Sequence, residues 1–477
     1  MHLKPHLAVL SLAALLTLPA LAQMQVVVSA PRGEPVTLTF KPGAVRLSSI
    51  AGRPYSATET LEQTLPNGTH MRISSTPLDR DSFGRMRTQH MQLIPEAATE
   101  FLVIEILDPV AGYQYVLDPP HQTAHRVAVS IATVAAPKTP RPCAAGRPSV
   151  STMRDGITAT NESLGSRTIE GVGACGNRTT LTYPPGSSLY GNDRPVSVTT
   201  ENWTAWDELG RMVLSTYSEP RGSVIMGGLK NVRLEEPDAA LFRPPEGYRV
   251  VDETTEFAIE VARPSNTSPS PQTVPVVTAL SGLPYSAEQV LTMEDTLGDG
   301  TRLSRAIFST LIYRDLMGRT RTEHLGTSGL IPKIEIVDAV AGYRYTLDPE
   351  RQTAVRTAVR VQLKHAAEVS IPSHPAARAN TEWLGTQTID GMITYGERNT
   401  TTFAPGTMGG NDRPMAVVDE RWMSPQLGIA MIHKGSNPRS PNSTSTLKNL
   451  KFGEPDASLF RVPEGYRIVD DPAPAAR

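Results

Sequence analysis

The residues most able to do chemistry in this chain are ten histidines, two cysteines and a recurring Gly-Asn-Asp-Arg-Pro. His90 and His324 each close a run reading G-R-x-R-T-(Q/E)-H. A metal would need two or three further ligands beside them, yet no H-x-H, H-E-x-x-H or C-x-x-C occurs. His121 and His125 are four apart, but Arg351 and Val355 stand at the corresponding places of a second copy. Arg85 and Arg87, with copies Arg319 and Arg321, fall on one face of an extended strand. There they would hold an acidic ligand or pair with carboxylates across the sheet. Asn192, Asp193 and Arg194, with copies Asn411, Asp412 and Arg413, are candidate recognition loops. The competing reading is a plain turn, because Asn and Asp tolerate left-handed backbone and Pro195 or Pro414 restarts an extended chain. No G-x-S-x-G, phosphate loop or G-x-G-x-x-G is present, and no pair of carboxylates shares a catalytic context. The chain is therefore read as a non-enzyme, with no cofactor or metal implied.

These residues recur because the chain is duplicated. Residues 229–252 and 447–470 are identical at seventeen of 24 positions. DPVAGYQYVLDPPHQTA from Asp108 returns as DAVAGYRYTLDPERQTA from Asp338, and GRPYSA at Gly52 returns as GLPYSA at Gly282. The expected organisation is a signal peptide over 1–22, a preamble over 23–44 and a β-rich repeat over 45–252. A Pro/Ser-rich linker over 253–275, a second β-rich repeat over 276–470 and a disordered tail over 471–477 complete it. The apolar run Leu7–Leu18 and the A-x-A site Ala20–Ala22 point to cleavage near Ala22/Gln23, against a competing reading as a buried helix. No later stretch is long and apolar enough for a transmembrane helix. The protein is expected in the periplasm or outside the cell.

Each repeat reads as strands. Asn67-Gly68 and Asp299-Gly300 suit tight hairpin turns between β-branched runs. The pattern predicts a mainly β fold of two tandem curved antiparallel sheets, each a half-barrel of about 10–11 strands. A short helix is expected near each C-terminal end, where Glu236-Pro-Asp and Glu454-Pro-Asp precede an apolar pair. Cys143 and Cys175 are both missing from the second repeat, which predicts one structural disulfide, with two free thiols as the alternative. A net charge of −2 gives no basic footprint for nucleic acid.

The closing pattern L-K-N-x-x-x-x-E-P-D-A-x-L-F-R-x-P-E-G-Y resembles the end of bacterial exported proteins of the outer-membrane lipoprotein carrier and sorting (LolA-like) group. G-N-D-R-P followed by E-x-W-x-S-P-x-L-G, seen at Glu420–Gly428, looks like uncharacterised secreted proteins of acidobacterial type. The resemblance spans both repeats. It implies an antiparallel half-barrel that holds acyl chains, here duplicated and with fewer helices. The function expected is an exported, non-catalytic binding or carrier protein for an apolar or lipidated ligand. An envelope protein-interaction or stress-sensing module is the alternative, with an envelope protein as partner, and a secreted hydrolase is a third reading.

Overall fold

Val-, Ile- and Thr-rich runs, broken by turns bearing Gly, Asn or Asp, build a structure that is mainly β. The computed structural model describes residues 25–29, 36–41, 46–51, 53–94, 99–135, 143, 146–153, 155–261, 275–326, 333–366 and 380–471. The expected signal peptide, most of the Pro/Ser linker and the residues after 471 lie outside this set. The chain divides into two units: Met1–Tyr183 with Val196–Pro269 and Gly406–Arg413, and Pro184–Pro195 with Ser270–Pro405 and Pro414–Arg477.

In the first unit two meanders share one sheet. The first comprises Tyr55–Thr64, His70–Arg80, Met86–Ile94, Thr99–Asp108, Tyr113–Asp118 and Thr123–Ala128. The second comprises Ser149–Thr152, Thr158–Ile169, Val172–Tyr183, Val196–Ala205, Arg211–Ser218 and Val224–Arg233. They join in the middle, where Val224 pairs with Thr64 in the antiparallel ladder. Arg249–Glu253 then lies parallel along Thr123–Ala128 and forms one edge, so the sheet has 13 strands and stays open. The second unit repeats this plan with 12 strands, from Thr381–Ile389 at one edge to Arg467–Asp470 at the other. Among the described residues it has no counterpart of Ser149–Thr152.

Three expectations change. The strand number exceeds the expected 10–11, because the added edge strands are short. Ser149–Thr152 and Arg467–Asp470 are wholly exposed and carry no apolar alternation. The sheets are not purely antiparallel, since both C-terminal strands pair in parallel. The expected short helices are single 3-10 turns of four residues, Ala239–Phe242 and Ala457–Phe460, rather than α-helices. Asp238 and Asp456 cap them at 2.9 and 2.8 Å. Prolines within three residues of each turn's end deny it further N–H groups.

A three-stranded sheet of Gln25–Ser29, Val36–Lys41 and Phe257–Val261 adds to the first unit. Phe257–Val261 falls in the stretch read as linker. Its Phe257 and Ile259, with Leu38 and Phe40, pack on Phe101, Val103, Val116 and Val127 of the large sheet. Phe257 stacks between Phe40 at 5.1 Å and His125 at 4.5 Å. The corresponding face of the second repeat carries Lys333, Glu335, Arg344, Thr346 and Val355. Among the described residues, the more apolar of the two faces is the one under the covering sheet.

A proline marks another difference. The ladder between His70–Arg80 and Met86–Ile94 runs only from Arg80/Met86 to Leu78/Thr88. Pro77 follows at once and has no N–H to carry the ladder on. The second repeat has Leu311 there, and its ladder continues to Phe308/Gly326.

Candidate functional site

The arginines singled out in the sequence hold the fold's C-terminal motif. Arg85 Nε donates to Asp81 Oδ2, and the guanidinium lies 5.3 Å over the Phe242 ring. Arg87 Nη1 donates to the Leu241 carbonyl at 3.3 Å. Ser82 N donates to Glu236 at 3.1 Å, so the glutamate of E-P-D closes the same cluster. The second unit reproduces each contact: Arg319 over Phe460 at 5.4 Å, Arg321 to the Leu459 carbonyl at 3.1 Å, and Leu316 N to Glu454 at 3.0 Å. Two stretches of the duplicated sequence, far apart in the chain, are therefore two halves of one joint. Arg126 then grips Asp252 with two bonds, at 2.5 and 2.8 Å, and Arg356 grips Asp470 alike, fixing the parallel edge strands.

The histidines are dispersed. His121 bonds Asp118 at 2.8 Å, His125 bonds Glu253 at 2.8 Å, and His324 bonds Thr310 at 3.0 Å. Burial depresses the His90 pKa. Cys143 and Cys175 form a disulfide.

The Gly-Asn-Asp-Arg-Pro loops are placed by their own amides. Asn411 Nδ2 donates to the Arg413 carbonyl at 2.6 Å and its Oδ1 accepts from Met408 N at 2.9 Å. Asn192 Nδ2 donates to the carbonyls of Pro184 and Arg194, at 2.9 and 2.6 Å. The aspartates then read a hairpin backbone. In the first unit His70 N donates to Asp412 Oδ1 at 2.8 Å, and Asp412 N donates to the His70 carbonyl at 2.9 Å. In the second unit Asp193 treats Arg302 the same way, at 2.8 and 3.0 Å. Arg194 Nη1 reaches the Asp299 carbonyl at 3.2 Å.

One step further along, the two units part. Ser304 N donates to the Gly191 carbonyl at 3.1 Å, and a side chain on Gly191 would overlap the Ser304 backbone. The first unit leaves a cavity of about 500 Å³ at this place, walled by Glu62, His70, Met71, Arg72, Met226 and Asp412. Serine and threonine stand where Arg72 and Met226 do in the other copy, as Ser304 and Thr444. Glu62 is neutralised by Lys230 at 3.1 Å, and His70 Nδ1 is engaged by Thr64 at 3.0 Å. Arg72 has no ion pair among the described residues. The cavity thus offers two adaptable thioether walls and one uncommitted guanidinium. Its size falls in the range of small-molecule sites. Sequence reading identified Asp412 but not Met226, His70 or Arg72. The usable signal was the position-by-position difference between the copies.

A second polar group lies on the covered face. Glu105 accepts from Gln114 Nε2 at 3.1 Å. Burial pushes its carboxyl up to about 7, against the opposing pull of that bond. Thr88 Oγ1 and Gln114 Oε1, both buried, have no partner among the described residues. The second repeat has Arg344 in place of Gln114, 3.7 Å from Glu335. The native state therefore keeps a proton on Glu105 that the unfolded chain releases above its ordinary value. Stability should fall as pH rises from near 4.5 through about 7, by roughly 2 kcal/mol once its partial exposure is allowed for. Glu105→Gln should flatten that part of the profile, as urea unfolding between pH 4 and 8 would read. An unchanged slope would refute the assignment.

No family model matches the chain, and no curated protein matches it. Three solved structures are similar to parts of it. An uncharacterized conserved protein from Thermus thermophilus is 10% identical over 40% of this chain and 91% of its own, with a TM-score of 0.24. LprF from Mycobacterium bovis is 13% identical over 36% and 87%, at 0.16. A domain described as an outer membrane lipoprotein-sorting protein domain, from Vibrio parahaemolyticus, is 7% identical over 40% and 89%, at 0.15. At TM-scores this low, none of the three bears on what this chain does.

Proposed function

We propose that this chain is an exported, non-catalytic binding or carrier protein whose ligand is a largely apolar molecule with one anionic end. The observation that carries this reading is the cavity of the first unit. The ligand's apolar part lies against Met71 and Met226, and its charged end meets Arg72. Both copies spend their other prominent polar motifs on internal joints, whereas at this cavity Arg72 and Met226 replace the Ser304 and Thr444 of the other copy. The Cys143–Cys175 disulfide fits an oxidising compartment outside the cytoplasm.

Native mass spectrometry of protein purified from the cells that export it tests the reading, with dodecanoate titration as the defined probe. An apolar ligand should co-purify, or dodecanoate should bind. Met226→Glu should abolish binding, and Arg72→Ala should weaken it by about tenfold, the loss of one charge-assisted contact. Absence of both a co-purified ligand and dodecanoate binding would end the carrier reading.

A further inference from the structure

We propose that each unit docks on a lipid bilayer surface through apolar turn tips at one end of its sheet. In the first unit Phe83, Val110 and Trp206 are 60%, 69% and 61% exposed. They sit in three turns: after His70–Arg80, after Thr99–Asp108 and after Val196–Ala205. The ladder registers place all three turns at the same end of the strands. Tyr55 pairs with Arg80, Met86 with Leu107, and Ala205 with Arg211, all at that end. The cavity lies at the opposite end, where Thr64 pairs with His70. Docking and ligand retention are thus separable.

Turn tips usually carry polar residues or glycine. Here the polar residue of each tight turn points inward and works to hold the apolar one out. Asp81 Oδ1 accepts from Phe83 N at 3.0 Å and from Arg85 N at 2.8 Å. Asp108 Oδ1 accepts from Val110 N and Ala111 N, both at 2.9 Å. In the turn of Trp206, Leu209 is buried in the core while the tryptophan is left outside. The second unit repeats the two tight turns. Leu316 and Met317 are both 53% exposed and Val340 is 64% exposed. Asp338 Oδ1 accepts from Val340 N and Ala341 N as Asp108 does in the first unit, and Asp315 Oδ1 accepts from Arg319 N at 2.8 Å. Phe83 becomes Met317 and Val110 becomes Val340, so both tips stay apolar, and Ser82 becomes the apolar Leu316.

The spacing argues for a bilayer rather than a protein. Counted across the sheet at about 4.8 Å per strand, the tips of the first unit stand about 10 and about 20 Å apart. Ser82, Asp207 and Glu208 lie beside them. A protein hot spot needs a contiguous patch that excludes water. A membrane interface accepts single apolar side chains one at a time, and favours tryptophan at headgroup depth. Two of the cations at this end are already committed, Arg85 to Asp81 and Arg53 to Glu208. Docking should therefore need no anionic lipid and should resist salt.

The test is co-sedimentation of the processed chain with phosphatidylcholine vesicles at low and high salt. Binding should occur at both, and Trp206 fluorescence should shift to the blue and be quenched by brominated lipid. Trp206→Phe should remove that signal. A variant carrying F83S, V110S, W206S, L316S, M317S and V340S should partition at least about tenfold less well, because each change removes apolar area from the contact. Its thermal melt should fall by no more than a few degrees and its cavity ligand should be unchanged, since all six are more than half exposed and lie at the end of the sheet away from the cavity. No binding by the unmodified chain, or equal binding by the variant, would overturn the proposal. So would capture of a soluble protein that depends on the tips while vesicles are ignored.

Discussion

Glu59→Ala should destabilise the first unit by about 3–5 kcal/mol, the cost of leaving one member of a buried ion pair without its partner. Arg211 Nη2 donates to Glu59 Oε1 at 2.7 Å and Arg211 Nη1 to the Tyr55 hydroxyl at 3.3 Å, with both charged side chains buried. A second guanidinium, that of Arg80, stacks on the same tyrosine ring at 4.7 Å. Removing the carboxylate would leave two cations sharing one ring. The second repeat shows the alternative solution. Gln289 and Ile429 occupy the places of Glu59 and Arg211, while Arg314 still covers Tyr285 at 4.7 Å. The double variant Glu59→Gln/Arg211→Ile should therefore recover to within about 1 kcal/mol of the parent, as apolar replacements of buried pairs often do. Urea unfolding, with hydrogen exchange to locate the affected unit, would measure both. A double variant no better than the single one would show that the site's shape, rather than its charge, decides.

The duplication and the hairpins were legible because they are local. Asn67-Gly68 needs a left-handed glycine, and Gly68 has φ 77° with Thr69 N bonded to Asn67 Oδ1 at 3.0 Å. What joins distant strands was not legible. Asp412 is recognisable as a polar loop residue, but its partner His70 lies 342 positions away. Nothing in one sequence ties the two. The same limit hid the joint between Arg85, Arg87 and the E-P-D-A-x-L-F motif. Both halves were seen as repeated, and neither was seen as the other's ligand. Phe257–Val261 does alternate large apolar residues with a small or polar one. It follows the last matched residue of the first repeat and runs into Pro and Ser, so composition outweighed pattern. The short edge strands failed for another reason. Exposed on both faces, they carry no period at all.

Those blind spots share a remedy, which is to compare the copies as environments. Arg80 recurs as Arg314, and both donate to backbone carbonyls of neighbouring turns, at 2.6 Å to Leu209 and 2.8 Å to Leu427. Positions of this kind are framework. Where chemistry changes, as at Gln114 and Arg344, the surroundings change too: one side is roofed by the three-stranded sheet, and the other keeps a charged pair. Met226 and Arg72 belong to this second class, which is why the cavity, and not the more visible Asn-Asp-Arg motif, is the candidate site.

Reduction of Cys143–Cys175 should lower the stability of the first unit and leave the second nearly unchanged. The two cysteines are 32 positions apart. A loop of that length, freed in the unfolded chain, is worth roughly 3–4 kcal/mol in the chain-entropy account, or a fall of roughly 10 °C in melting temperature for a unit of this size. The tie has a definite task. Ser149–Thr152 caps the edge strand Thr158–Ile169 through four paired positions, and all four of its residues are exposed. It buries too little to hold itself there, since fixing each residue costs about 1–2 kcal/mol of backbone entropy. The disulfide anchors the preceding connector to the next strand but one, Val172–Tyr183, and so keeps the cap in register. Among the described residues the second unit has no such cap, and its sheet ends at Thr381–Ile389. Hydrogen exchange after reduction should therefore accelerate first at 149–152 and 158–161, with the strands of the second unit unaffected. The unreduced, unfolded protein should show no titratable thiol. Two titratable thiols, or equal acceleration in both units, would remove this account of why only one repeat carries the cysteines.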